Sequence, residues 1–495
     1  MNVNPITRLD YPDLDVIRVE DTYYMVSTTM HFMPGCEILQ SFDLVHWEHV
    51  TYVYETLDHT DAQQLKSGQN IYGQGMWAAS LRYHEGRFYI CFVANDTRKT
   101  YLYTSEKIDG PWKKQLIEGF YHDGSLLFDE DGRNYIVYGN DEIWITELNE
   151  DLTAPKKDGL HRLLVSDHKN PELGYEGSHI QKINGYYYIF LVHSLRDRWM
   201  RTEACFYSDS LEGEFTGGDV LCDDRGYCGQ GVAQGGIVDT PDGKWYAMLF
   251  QDSGAVGRIP ILLPVTWKDH FPFFGQNGHV PEEIEVHSTR PGYIYQPLVG
   301  SDDFCNGLLP RWQFNHDPDP RYYHLDALQG TYTITTREVC TELTQAVNTL
   351  TQRMSYPSCA AEVTVDASAL KEGDVAGLCA LQSCYAAVGI TKHHGKYEVL
   401  MLDKKEDGIL DMTEGTVVES HQMDFRLEAD FCNMKDEARC YYRVNKGDWL
   451  TVHKLYFKLD HFTGCRFGLF CYAAEETGGS ACFRDFKYYD VDEIS

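Results

Sequence analysis

The sequence predicts an all-β protein: a five-bladed β-propeller followed by a β-sandwich. Three features carry that prediction. A hairpin signal recurs five times in the first half, long amphipathic helical patterns are nearly absent, and short alternating strands crowd the chain after residue 300. The recurring segments are DVIRVEDTYYMVSTT, SLRYHEGRFYICFVA, SLLFDEDGRNYIVYG, HIQKINGYYYIFLV and GIVDTPDGKWYAMLF. Each joins two strands rich in aromatic and β-branched residues through a tight turn, beginning at Asp21, Glu85, Asp131, Asn184 and Asp242. In four of the five a glycine follows and supplies the positive φ that such a turn needs. The turns are 64, 46, 53 and 58 residues apart, which suits a four-stranded blade with loops of variable length.

The repeat register then selects residues. Eight positions before each turn stand Asp13, Trp77, Asp123, Glu176 and Gln234. The innermost strands of a propeller all start at one end of the central channel, so equivalent positions converge on one pocket. A repeat built only for packing would place small or apolar residues there. Three carboxylates from three blades, brought together out of water, are costly unless their protonation is used. Asp15 would share the face of Asp13 in a regular strand, but the repeat offset selects Asp13.

The propeller is expected over residues 1–297 and the sandwich over 298–495. Segment 285–303 reads as a linker, and from Phe304 onward strands such as GTYTITT, CAAEVTVDAS, AAVGITK, RLEADF and CFRDFKYYD fit an antiparallel sandwich. No low-complexity segment or charge run separates the halves, so a firm interface is expected.

Composition narrows the function. The chain of 495 residues has 43 basic and 75 acidic side chains, a net charge of −32, which argues against nucleic acid and against anionic membranes and fits a neutral or cationic partner. The longest apolar stretch, 259–265, contains two prolines and is too short to span a bilayer. The start, MNVNPITRLDYPD, shows no basic n-region or apolar h-region, so a cytoplasmic location is expected. The 15 cysteines show no CxxC spacing, and no metal site is expected from them. The oligomeric state is left open.

Three carboxylates and an aromatic wall point to glycoside hydrolysis. One carboxylic acid protonates the leaving oxygen and an opposed carboxylate activates water, or attacks directly. Carboxylates on different blades favour the wider gap of roughly 6.5–9.5 Å and inversion of the anomeric centre. The third acid, by like-charge proximity, would keep the general acid protonated.

DYPDLDVIRVEDTYYMVSTTMHFMPG with SFDLVHWE, YHDGSLLFD around Asp123 and GYEGSHI around Glu176 together resemble glycoside hydrolase family 43. The resemblance spans all five repeats, and the C-terminal half is similar to the β-sandwich appended in many members. It implies that Asp13 is the base, Asp123 tunes and orients, and Glu176 is the acid. It further implies substrate contacts from His31, Phe32, Trp77, Gln234 and Arg258. Gln234 stands where many relatives carry a histidine that helps hold a central ion or water. Glutamine is the poorer ligand, which argues against a structural calcium, and no cofactor is expected. QDSGAVGRIP resembles a branch with α-L-arabinofuranosidase and β-D-xylosidase activities. An exo-acting, inverting enzyme is therefore expected, releasing terminal α-L-arabinofuranosyl or β-D-xylosyl units, with the arabinofuranoside favoured. In similar proteins the sandwich closes one side of the pocket, and aromatics in segment 467–472 are the candidates for that contact. An inert carbohydrate-binding propeller would lack the converging acids. A retaining fructan-cleaving enzyme would carry an Arg-Asp-Pro motif that is absent here.

Overall fold

The computed structural model describes residues 2–405, 407–413, 415–444, 446–456 and 463–490, with side chains of 451–456 left aside. Residues 15–274 form five four-stranded antiparallel sheets, four of them from strands consecutive in the chain and the first interrupted by the short strand Phe32–Met33. Their innermost strands are Asp15–Val19, Met76–His84, Ser125–Phe128, Glu176–Ile183 and Val232–Asp239. Each innermost strand touches the next, and the fifth returns to the first, so the sheets close a ring. All five expected hairpins are present. Glu85–Gly86 and Asn184–Gly185 have positive φ at both positions, the mirror-image turn that matches the twist of the flanking strands.

No strand is exchanged to close the ring. Instead Asn2–Val3 pairs with Glu283–Ile284. The buried Asn4 amide donates to the Leu262 carbonyl at 2.7 Å and accepts from the Leu262 N–H at 3.0 Å. These bonds tie the chain start to the fifth blade.

Beyond residue 312, eight strands of a nine-stranded sheet and all seven strands of a second pack face to face around one apolar core that includes Trp312, Phe425, Phe467 and Phe483. Strands form at all five segments named above, for example Ser358–Asp366, Tyr385–His393 and Ser480–Asp490. A further strand expected over 440–445 forms as part of Glu437–Val444, and Asn445 lies outside the described residues. The segment before the sandwich packs on the first blade through Thr289, Tyr295 and an Arg290–Asp21 ion pair.

The nine-stranded sheet does not end at the sandwich. Its edge strand, Phe32–Met33, belongs to the loop after the first propeller hairpin and pairs with Gln313–Asn315. A second seam lies at the fifth blade. Asp10 accepts from the Arg258 N–H at 2.7 Å and from the Gly464 N–H at 2.8 Å. Arg353 of the sandwich donates to the Asp10 carbonyl at 2.9 Å and pairs with the buried Glu37 at 2.8 Å. Gly257 can approach only as glycine: its φ is +109° and a Cβ would lie 2.2 Å from Asp10 Oδ1.

Candidate active site

The five register positions meet. Asp13, Trp77, Asp123, Glu176 and Gln234 all line one cavity of about 260 Å³, together with Met30, His122, Asn140, Leu173, Trp199, Arg201 and Arg258. They enter it because the backbone is irregular at the mouth of each innermost strand. Asp13, Asp123 and Gln234 have φ of 50°, 48° and 64°. In blades two, four and five the ladder shifts register at Trp77/Ser80, Glu176/His179 and Ala233/Gly236. A bulge of this kind re-aims a side chain away from the sheet. Gly177 leaves room for the Gln234 side chain, which a Cβ would meet at 2.8 Å.

On one side of the cavity Asp13 accepts from Arg258 Nη1 at 3.0 Å and from Thr28 Oγ1 at 2.8 Å. Arg258 is buried. Its Nε pairs with Asp252 at 3.2 Å, and Asp252 also takes Arg201 Nε at 2.9 Å. The two guanidiniums share one acid and lie over Phe250, their carbons 5.1 and 5.5 Å from the ring centre. Asp252 is consequently held below the usual carboxylate range against the pull of burial.

On the other side Asn140 Nδ2 donates to Glu176 Oε2 at 2.9 Å, and the Gly177 N–H donates to Asp123 Oδ2 at 2.9 Å. Asp123 therefore fixes the backbone next to Glu176 rather than its carboxyl. His122 Nε2 lies 3.5 Å from both Asp123 Oδ2 and Glu176 Oε2. That geometry distributes the charge differently from the sequence expectation. Burial raises Asp123 to about 6, opposed by His122 and reinforced by Glu176 and Asp13. Burial also works to raise Glu176, but contact with His122 outweighs it and the carboxyl lies below its ordinary value. His122 itself is raised to about 9, first by Asp123 and then, against burial, by Glu176. The shifts run in opposite directions, so of the two groups His122 holds a proton more readily than Glu176.

His122, Asp123 and Glu176 also present ligand atoms within 4.8 Å of one another. A cation there would compete with the proton held by His122. Beneath the cavity, Asp15 is fully buried and bonded to Arg82 Nη1 at 2.7 Å, the Leu81 N–H at 2.8 Å and His179 Nδ1 at 3.1 Å. Against the cost of burial, Arg82 and then His179 hold Asp15 at about 2. Arg82 also reaches Ser125 Oγ and the Ile180 carbonyl, so this network ties four blades together at the axis.

Two expectations are corrected. His31 and Phe32 do not line the cavity. The sandwich recruits their loop as a sheet edge, which turns both rings into the seam: Phe32 lies under the Arg466 guanidinium at 3.5 Å, and His31 packs on Tyr72 and His316 at 4.8 and 4.9 Å. Met30 takes the wall position. Nor does segment 467–472 border the cavity. Phe467, Phe470 and Tyr472 are buried within the sandwich, and among the described residues no sandwich side chain lines the pocket. The sandwich supports the site from behind.

The residues missed are His122, Asn140, Trp199 and Arg201. A signal existed for Arg201: it opens the third strand of blade four, Arg201–Ser208, as Arg258 opens the third strand of blade five, Arg258–Lys268. These arginines follow their blade's turn residue, Asn184 or Asp242, by 17 and 16 positions. Trp199, 44% exposed at the rim, sits in a loop outside the repeat and carried no signal.

The proton-sharing trio makes a spectroscopic prediction. The His122 ring should titrate near 9 by NMR, and Asp123→Asn should lower that value because it removes the largest cause. The stability linkage has the same sign for the two groups, because both pKa values are raised. His122 contributes stability below about pH 6.5 that is lost as pH rises through about 9. Asp123, raised, favours the fold only while protonated, and that contribution is lost as pH rises through about 6. A His122 titration that is unchanged in Asp123→Asn would overturn this assignment.

Residues 3–272 match the profile of glycosyl hydrolases family 43, and residues 301–489 match the β-xylosidase C-terminal concanavalin A-like domain. The chain is 27% identical to a β-xylosidase of Formosa agariphila, over 99% of this chain and 89% of the relative. It is 27% identical to xylosidase/arabinosidase 43B of Humicola insolens, over 77% and 74%. A solved structure of a bifunctional GH43-CE protein of Bacteroides eggerthii superposes with a TM-score of 0.91 at 41% identity. That superposition covers all of this chain but spans 64% of the longer relative. More than half of the sequence thus carries the catalytic-domain signature on a propeller with an appended sandwich: the chain belongs to glycosyl hydrolases family 43.

Proposed function

We propose that the protein is an exo-acting, inverting glycoside hydrolase that removes terminal α-L-arabinofuranosyl and β-D-xylosyl units from hemicellulose-derived oligosaccharides. The observation that carries this is the single cavity in which Asp13, tied to Arg258, stands with Glu176 and Asp123 from two other blades. Its volume of about 260 Å³ falls just below the usual range of ligand pockets, roughly 300–1,000 Å³. A site of that size suits one terminal sugar rather than a threaded chain. The names of the relatives, β-xylosidase and xylosidase/arabinosidase, support the pentose class.

In this mechanism Asp13 takes a proton from the attacking water, and Glu176 gives one to the leaving oxygen. Substrate that displaces water from Glu176 raises its carboxyl, and the proton held by His122 passes to it across the 3.5 Å contact. Asp123 holds the backbone after Glu176 and keeps the proton within the trio. Trp77 offers an indole face to the apolar side of the sugar. Arg258 and Gln234 are placed to meet hydroxyls. The proton transfers run between side chains of the cavity, the attacking water and the leaving oxygen.

The test is hydrolysis of 4-nitrophenyl α-L-arabinofuranoside and β-D-xylopyranoside, with the anomer of the first-formed sugar followed by NMR. Cleavage of either with inversion is expected. Retention, or no cleavage of both, would remove this proposal.

A further inference from the structure

The solvent face of the seven-stranded sandwich sheet holds a second concavity, of about 720 Å³, lined wholly by sandwich residues. Strand alternation creates it. In Ser358–Asp366 the side chains of Cys359, Ala361, Val363 and Val365 enter the core, leaving Glu362 and Thr364 outside. The last strand, Ser480–Asp490, carries a bulge here: Lys487 stands opposite Glu362 and Arg484 opposite Thr364, with Asp485 (φ 53°) absorbing the extra residue. Arg484 and Lys487 thus border the same pair of residues.

The floor is electrically satisfied. Glu362 pairs with Arg426 at 2.6 Å and Arg443 at 3.9 Å. Asp424 takes Arg443 Nε at 2.8 Å and the Thr364 hydroxyl at 2.7 Å. The rim differs. Lys446, Arg484 and Lys487 line the concavity and form no ion pair among the described residues, against one further acid there, the exposed Asp485. Three such cations gathered on a chain of net charge −32 favour an anionic ligand. A compact phosphate reaching the floor would meet Glu362 and Asp424 at once. A saccharide would instead offer hydroxyls to those acids while its carboxylates meet the rim. Two of the arginines that pair with the floor acids, Arg426 and Arg443, also lie 5.2 and 4.2 Å from the Tyr489 and Trp449 ring centres.

We propose that this face binds a glycan bearing carboxylate groups, a uronic-acid-substituted polysaccharide, and so holds the substrate polymer beside the propeller. The choice of a saccharide rests on the glycosidase reading above; the requirement for an anion does not.

The test is affinity electrophoresis of the full chain in glucuronoxylan, in the same polymer after carboxyl reduction, and in heparin. Wild type should be retarded by glucuronoxylan at low salt, with affinity at least about tenfold above that for the reduced polymer, a difference of about 1.4 kcal/mol. High salt should abolish the retardation. The double variant R484E/K487E, at surface positions remote from the catalytic residues, should lose retardation while keeping its thermal melting point and its cleavage of aryl pentosides. Equal binding of the reduced polymer, equal binding of heparin, or wild-type retardation of the double variant would each overturn the proposal. Absence of aryl pentoside cleavage by wild type, with carboxylate-dependent binding intact, would instead count against the glycosidase reading alone.

Discussion

Replacing Glu176 by glutamine should lower kcat on xylo- and arabino-oligosaccharides by about 10²–10⁴-fold, the usual contribution of a positioned acid or base. The loss should depend on the leaving group. An oligosaccharide alkoxide leaves poorly without a proton, whereas 4-nitrophenolate needs little help, so the variant should retain much more activity on the aryl glycosides. Asp13→Asn should lose both substrates to a similar extent, because water activation is required whatever departs. Folding should survive in each case. In Glu176→Gln the side-chain amide keeps an oxygen for Asn140 Nδ2, and in Asp13→Asn the Arg258 guanidinium retains Asp252. Thermal unfolding of both variants close to wild type would check this. A Glu176→Gln enzyme with equal losses on aryl and natural substrates would displace Glu176 from the acid role. Asp13→Asn with more than a few per cent of activity would displace Asp13.

Asp10→Ala should cost more stability than any single exposed change, although Asp10 lies outside the cavity. Its carboxylate is the shared acceptor for the backbone N–H groups of Arg258 in the propeller and Gly464 in the sandwich, and the residue is 3% exposed. Alanine leaves two buried donors without a partner, at roughly 1–3 kcal/mol each, so about 2–6 kcal/mol of unfolding free energy should disappear. Catalytic efficiency should fall as well. The Arg258 backbone is held by Asp10 while its side chain holds Asp13, so loosening the first moves the second. Asp10→Asn retains one acceptor and should fall between. Arg321→Ala is the control, since the Arg321–Asp319 pair is surface exposed on the arginine side and solvent-screened pairs of this kind contribute little. Denaturant unfolding with kcat/KM on the same preparations would decide. A stability loss in Asp10→Ala no larger than in the control would show that the seam is not a structural strut.

Much of this molecule is written in local sequence. A tight turn fixes strand register, and register fixes which side chain stands at the channel mouth, so counting back from Asp21, Glu85, Asp131, Asn184 and Asp242 was enough to bring five residues to one cavity. Residues outside that count were not legible, and each for a physical reason. His122 neighbours Asp123 in sequence, but its importance lies in being 3.5 Å from Glu176, a residue 54 positions later. Trp199 reaches the rim from a loop whose length obeys no repeat. Arg201 could have been found by extending the repeat to the third strands.

The sequence by itself determined the hairpins, the repeat, the converging acids and the alternation that builds the sandwich, because these follow from periods of two and turn chemistry over short distances. Only the tertiary structure decided which groups hold a proton more readily, because burial and the simultaneous approach of His122 to two acids set opposite shifts on Asp123 and Glu176. It alone decided the fate of His31 and Phe32, since the hydrogen-bonding edge that claims their loop comes from residues 313–315, nearly 300 positions away. A sheet edge takes whichever backbone lies beside it, and no local pattern announces that neighbour.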